Sequence, residues 1–500
     1  MSELGEDPQD EGSLGQAGDG EDPQDGWESD VVKHVFILSS SGKPIFSRFG
    51  DEQALVATFG LLQAIVSIVQ DQGDTLHCIK AGHRRIVYFF RQSLYFISVS
   101  STGEPEAVLS KQLEFLYNQV LLTLTNKVHK VLNQNSSKDL RDLLGCDTTR
   151  LMQSVCSGDL TPTCIAFESA RGYAMAEADL RDELLGSLRE CVEMSGAALG
   201  LILCADALVA YAPNSAMALH LQVGDVLLLT HFVENSASLR SHDQHWVPLC
   251  LPQFNPGAFL QAYVCDLRVH SMVEENRHID FSLVLISSSS DASMFKELHA
   301  GREALEQALV APSMAPRLLA TQEQQSTALC KYLGPAMCLH FLYKIRPAAG
   351  TGGAATPAQC MSTPMDFPIN NQDSQDKIWL QYQRLGVCLR KGTSLAECTL
   401  VQAVPHPSPP AQSEADASIS SAAMASPPSE SNVMSAVPTS DHALAYAVLG
   451  NGHVVVGLAA SDSELYATFP GTCSALEACG MANYLSRTLR ADAKLFFQCT

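Results

Sequence analysis

The residue groups in this sequence that could perform chemistry are few, and each fails on spacing. Gly42-Lys43 has the look of the end of a phosphate loop, but Pro44 follows it and the required upstream glycine is absent, so it reads as a hairpin turn. Gly450-Asn451-Gly452 begins a Gly-x-Gly, yet it joins two strand-like runs instead of opening a helix. No helix N-terminus would meet a pyrophosphate there. His242, His245, His270 and His278 could be imagined as metal ligands, but none has a second ligand at a helical or knuckle spacing. The sixteen cysteines include no Cys-x-x-Cys. The nearest pairs are Cys473 with Cys479, Cys156 with Cys164 and Cys330 with Cys338, and most others sit in apolar runs such as Leu201-Ile202-Leu203-Cys204. That is the pattern of reduced, buried thiols in a cytosolic protein. A cysteine nucleophile needs a neighbouring base and a cleft, and no Gly-x-Ser-x-Gly elbow is present. The expectation is a binding protein: no catalytic residue, no cofactor, no metal and no covalent chemistry.

Five hundred residues, 46% of them hydrophobic, are too many for one core and correspond to about three domains. The formal charge of −22 is uneven, because residues 1–30 hold eleven acids and no Lys or Arg, leaving 43 acids against 32 bases in the rest. This balance argues against nonspecific nucleic-acid binding, which requires a basic face to release counterions. The opening thirty residues repeat Gly-Glu-Asp-Pro-Gln-Asp at Gly5 and Gly20 and predict a disordered acidic tail. Pro, Ser, Ala and Gly dominate Ala349–Pro357 and Val404–Thr439, which predicts disordered insertions near 346–360 and 404–439. Nothing resembles a signal peptide, and the apolar stretches Leu55–Gln70 and Ala197–Ala212 fall short of the roughly 20 residues that cross a bilayer.

The elements needed to position any site repeat one pattern three times. Thr75–Lys80, Ile86–Phe90 and Leu94–Ser100 read as strands followed by a helix over Glu106–Leu132. Val247–Leu251, Phe259–Cys265 and Ile279–Ile286 precede a helix from Asp291, and Leu444–Leu449, His453–Ala459 and Glu464–Phe469 precede a helix over Ser474–Leu489. Ahead of each meander lie two strands and a helix: His34–Leu38 and Pro44–Arg48 before Glu52–Asp71, Leu199–Cys204 and Ala207–Ala212 before Leu221–Glu234, and Cys338–Ile345 and Met361–Phe367 before Asp373–Leu389. The fold class is therefore α+β, a β-β-α-β-β-β-α unit written three times with antiparallel sheets and flanking helices. The expected division is a tail over 1–30, a first domain over 31–145, connector helices over 146–195, a second domain over 196–312 and a third over 313–500.

The helix Glu52–Asp71 carries no charge between its ends, and Leu55, Val56, Phe59, Leu62, Ile65, Val66, Ile68 and Val69 cover more than one stripe. A helix so apolar should be buried on two sides. Its least apolar line, Ala57, Gly60, Ala64 and Ser67, consists of small residues at helical spacing that would let another backbone approach. The covering surface is either another domain of this chain or a separate subunit.

The residues also resemble a known family. His34-Val35-Phe36-Ile37-Leu38, followed by Gly42-Lys43-Pro44-Ile45-Phe46-Ser47-Arg48-Phe49-Gly50-Asp51-Glu52, resembles the opening of the SAND (Mon) family of vacuolar fusion proteins. Asp139-Leu140-Arg141-Asp142-Leu143-Leu144 is similar to that family's segment after the first domain. Pro248-Leu249-Cys250-Leu251-Pro252-Gln253-Phe254-Asn255, with Phe259 after it, resembles its central signature, and His340-Phe341-Leu342-Tyr343-Lys344 its third-domain strand. The resemblance implies three longin domains and a subunit that, with a Ccz-type longin partner, forms a guanine-nucleotide exchange factor for a late-endosomal or vacuolar Rab GTPase. It implies recruitment to the membrane surface from the cytoplasm, with phosphoinositides as candidate lipids, and no cofactor. It also implies that the first helices and edge strands of the paired first domains make the platform for the GTPase; here Ala57, Gly60, Leu61, Ala64 and Ser67 would supply it.

Overall fold

The computed structural model describes residues 32–498, except 51, 136–137, 158–159, 176, 218–219, 240–243, 271–277, 326, 347–355, 366–368, 370 and 392–442. The acidic tail and the second predicted insertion lie outside the described residues, as does most of the first. The first unit contains β1 (Lys33–Ser39), β2 (Pro44–Ser47), α1 (Glu52–Asp71), β3 (Cys78–Ala81), β4 (Arg84–Arg91), β5 (Leu94–Ser100), α2 (Glu106–Leu124) and α3 (Lys127–Gln134). A linking stretch follows, with α4 (Arg141–Ser157), α5 (Leu160–Phe167), β6 (Ala170–Gly172) and α6 (Ala178–Ser195). The second unit has β7 (Leu199–Cys204), β8 (Ala207–Pro213), α7 (Val223–Asn235), β9 (His245–Leu249), β10 (Leu260–His270), β11 (His278–Ser287), α8 (Ala292–Leu309) and α9 (Ala315–Gln324). The third has β12 (His340–Ile345), β13 (Gln359–Ser362), α10 (Gln372–Lys391), β14 (Ala443–Val448), β15 (Val454–Ala459), β16 (Ser463–Phe469), α11 (Ala475–Ala491) and α12 (Ala493–Phe496).

All three units share one strand order. The first sheet runs β2-β1-β5-β4-β3, and the same order, β8-β7-β11-β10-β9 and β13-β12-β16-β15-β14, recurs in the other two. Every pairing within a unit is antiparallel, including the central pairings β1–β5, β7–β11 and β12–β16 between strands that are not consecutive. Glycine is needed at two of these turns, Gly42 at φ +80° and Gly452 at φ +84°, a backbone region that costs other residues steric strain.

The sequence reading needs correction at four places. The second and third sheets are one eleven-stranded sheet, joined by β6, which pairs in parallel with β13 through Cys360↔Arg171 and with β8 through Gly172↔Leu208. The stretch read as connector helices thus contains a strand, and its last helix, α6, covers the second sheet alongside α8. Residues 359–360 belong to β13 and not to an insertion. The helix read over Glu106–Leu132 is broken at Thr125, whose φ of 58° and ψ of −178° leave the helical region. The break turns the chain so that Asn126 N–H reaches the carbonyl of Pro256, 2.8 Å away in the second unit.

Helices lie on both faces of each sheet. α1 covers one face of the first sheet; α2 covers the other and packs in turn against α4, α5 and α7. α2 is therefore the shared core of the first two units. The third unit is fastened by a buried ionic cluster: Glu464, 1% exposed, pairs with Lys344 at 3.6 Å, with Arg390 at 3.6 Å and with Arg346. Lys344 Nζ also donates to the Phe167 carbonyl at 2.6 Å, and Arg390 to that of Ala166 at 3.3 Å. Both carbonyls end α5, where the helix dipole is negative and favours cations. Burial alone would push the Glu464 carboxyl up, but Lys344 and Arg390, with hydrogen bonds from Tyr466 and Arg346, hold it below the ordinary glutamate value.

Candidate partner-binding face

α1 is two-sided because its apolar residues fall on two stripes. Leu55, Phe59, Leu62 and Val66, spaced by four, three and four, are buried against Phe36, Leu38, Tyr88, Ile97 and Val99 of the sheet. Phe59 meets Phe36 edge to face, with ring centroids 5.5 Å apart. Gln63 Nε2 donates to the Ser40 carbonyl at 3.2 Å and ties the middle of the helix to the β1–β2 turn.

The opposite stripe faces solvent. Ala57, Gly60, Leu61, Ala64 and Ser67, the five residues singled out from the sequence, are all exposed, and the structure brings them together on one face. A Cβ built on Gly60 would meet nothing within 4 Å. Among the described residues no other unit of this chain covers the face, which leaves a separate subunit as the alternative that fits them. Two residues that sequence reasoning had not assigned to the face join it: Val56 is 64% exposed and Ile68 59%, beside Leu61 at 55%. Periodicity cannot separate them from core residues, because an apolar side chain kept for a partner looks like one kept for the sheet. A contiguous exposed apolar stripe with small residues along its crest is a surface suited to packing against another helix. The sheet beneath ends in β3, which has a strand neighbour on one side only among the described residues; exposed Lys80 lies on β3 and exposed His83 in the β3–β4 turn.

The sequence signature between Pro248 and Asn255 forms a joint between units. Buried Asp225, at the start of α7, accepts Gln253 N–H at 3.1 Å and Phe254 N–H at 2.8 Å. Burial pushes its carboxyl up to about 6, against the pull of those two donors. Cys250 N–H donates to the Leu122 carbonyl of α2 at 2.9 Å. Alongside, buried His231 of α7 lies 2.8 Å from Gln119 of α2 and 2.7 Å from Ser154 of α4. Burial lowers the His231 imidazole to about 4 and that of His340 to about 3.

These two histidines stay neutral in the fold, whereas in the unfolded chain they take up protons near pH 6.5. Stability is therefore complete above pH 6.5 and declines as pH falls toward 4, by about 1.4 kcal/mol per pH unit for each histidine. Asp225 opposes this decline: its raised value means that it gains stability as pH falls through 6. Urea midpoints measured between pH 7 and pH 5 should fall, and His231→Gln should flatten the slope; an unchanged slope contradicts the assignment.

The other sequence candidates do not assemble into a site. His270 and His278 are cross-strand neighbours, but their ring centroids are 6.1 Å apart; His245 lies on β9, and His242 is outside the described residues. Among the described residues no three of His, Cys, Asp and Glu are grouped as a metal ion would require. Burial pushes Cys191, Cys250, Cys265 and Cys338 up to about 12, so they are protonated thiols at neutral pH. Cys360 is lowered instead, chiefly by a hydrogen bond with the Cys164 thiol. No helix among the described residues is long and apolar enough to cross a membrane.

Comparison with known proteins identifies two of the three units. Residues 33–153 match the first longin domain of FUZ, MON1 and HPS1, and residues 197–305 match the second. A vacuolar fusion protein MON1 homolog of Arabidopsis thaliana is 36% identical over 46% of this chain and 37% of its own length. One from Oryza sativa subsp. japonica is 28% identical over 71% of this chain and 63% of its own, and MON1 homolog B of Homo sapiens is 34% identical over 51% and 46%. The matched part thus spans between about a third and just under two thirds of these relatives' length. The longin domains and the relatives agree with the strand order common to all three units: this chain resembles the SAND, or Mon, family of vacuolar fusion proteins.

Proposed function

We propose that this chain is the Mon-type subunit of a guanine-nucleotide exchange factor, which pairs with a Ccz-type longin subunit and activates a Rab GTPase of late endosomes or the vacuole. The observation that carries the reading is the open apolar stripe on α1 of the first longin domain, in a chain whose relatives are named for vacuolar fusion. Two such helices laid side by side, with their edge strands, make a continuous surface on which a GTPase's nucleotide-binding loops can be held open. The mechanism is differential binding: a surface that favours the nucleotide-free GTPase lowers nucleotide affinity by the same free energy, without bond chemistry. The chain acts from the cytoplasm, recruited to the surface of late-endosomal or vacuolar membranes, and serves endosome maturation, autophagy and vacuole fusion.

A longin scaffold that binds small GTPases or lipids without promoting exchange is the second reading, because an open apolar stripe on α1 serves attachment as well as exchange. Size-exclusion chromatography separates the two at their first divergence. The chain mixed with a Ccz-type subunit should elute as a single heterodimer; separate elution favours the scaffold.

A further inference from the structure

We propose that Cys164 and Cys360 form a modification site for hydroperoxides, where a peroxide converts the two thiols into a disulfide that ties α5 to β13. The two residues are far apart in sequence and meet at the joint between the second and third units. Ser169 N–H donates to the Cys164 carbonyl at 3.1 Å, so the chain turns from α5 directly into β6. β6 lies beside β13 with Arg171 in register with Cys360. Cys360 Sγ is 3.9 Å from the Ser169 carbonyl oxygen, and the Cys164 thiol donates a hydrogen bond to the Cys360 sulfur. Sulfurs in such contact are close enough to be bridged.

The surroundings make Cys360 the attacking group and Cys164 the resolving one. Lys344 on β12 is the cross-strand partner of Cys360, and Arg171 is its partner on β6, so two basic residues flank it on one face of the sheet. The hydrogen bond from Cys164, aided by the charges of Lys344 and Arg171, holds Cys360 below the ordinary cysteine value against its burial. The same hydrogen bond and burial put Cys164 well above that value. The thiolate is the reactive form. The Cys360 thiolate attacks one oxygen of hydrogen peroxide, the O–O bond breaks and hydroxide leaves, which makes a sulfenic acid. The Cys164 sulfur then attacks the sulfenic sulfur. Its proton departs with the sulfenic hydroxyl as water, and the S–S bond forms. The peroxide takes up both electrons given by the two thiols.

Cys164 is 7% exposed and Cys360 4%, so access controls the reaction. The route is the seam around β6, which holds each neighbouring strand through two residue pairs and in parallel. Parallel pairing is slightly the weaker kind, and a ladder so short opens locally at little cost. Arg171 stands in this seam with 44% of its side chain exposed. The disulfide closes a long loop and fastens the second unit to the third across the shared sheet.

The proposal goes beyond the exchange reading and does not depend on it. The test treats the folded full chain with hydrogen peroxide, alkylates the remaining thiols and maps disulfides by mass spectrometry without reduction. A peptide linking Cys164 to Cys360 should appear and be lost on treatment with dithiothreitol. In Cys164→Ala, dimedone should label Cys360 after peroxide. Oxidation should raise the lowest unfolding midpoint by roughly 5–15 °C, and Cys360→Ala should abolish the rise. The proposal is overturned if both thiols stay open to alkylation while exposed Cys146 is oxidised, or if the link forms as readily in the urea-unfolded chain. A rise in midpoint that persists in Cys360→Ala would contradict it equally.

Discussion

Glu464→Gln is expected to destabilise the third unit by roughly 3–5 kcal/mol, the usual cost of removing one partner from a buried ion cluster. The substitution keeps the side chain's shape but leaves Lys344, 5% exposed on its side chain, without its carboxylate, and withdraws charge from Arg346 and Arg390. The consequence reaches beyond the sheet, since Lys344 and Arg390 also hold the last carbonyls of α5. At about 2–4 °C per kcal/mol for a unit of this size, the lowest unfolding midpoint should drop by roughly 6–20 °C. A Lys344→Met change made together with Glu464→Gln should recover part of the loss, because it removes the stranded ammonium. A drop within a degree or two for Glu464→Gln alone would mean that the cluster is solvated.

The repeated unit was legible because its signals are local. Alternating strands end at Gly42, Gly82 and Gly450–Gly452, and the helices begin at residues such as Ser474, which forms a capping box with Glu477. What escaped is tertiary. The strand β6 is Ala170-Arg171-Gly172, too short to show alternation, and its partners β13 and β8 are far away in sequence. Nothing in Leu121-Leu122-Thr123-Leu124-Thr125 marks a helix end, because the break at Thr125 is imposed by the docking of Asn126 on Pro256. On the candidate face, the line of small residues at helical spacing was readable from Ala57 to Ser67. The outward placement of Val56 and Ile68 was not, since only the sheet decides which apolar stripe it buries.

Ala64→Arg should abolish pairing with a Ccz-type subunit while leaving the chain folded, and Gly60→Glu should do the same. Both positions are exposed in the chain by itself, so the folded state gains no clash there, and a surface substitution costs within about 0.5 kcal/mol. In a helix-on-helix interface the same side chain would separate the backbones and bury an unpaired charge, weakening association by roughly a hundredfold or more. Unchanged melting with lost co-elution is the expected combination. Normal pairing of either variant would remove this face of α1 from the interface.

The most direct measurement is the release of fluorescent GDP from a late-endosomal Rab GTPase in the presence of this chain, a Ccz-type subunit, or both, with earlier-acting Rabs as controls. The account predicts acceleration by the pair alone, confined to the late-endosomal Rab and lost when the pair is assembled with Ala64→Arg. A stable pair of unsubstituted subunits that leaves GDP release at its intrinsic rate would contradict the exchange-factor reading.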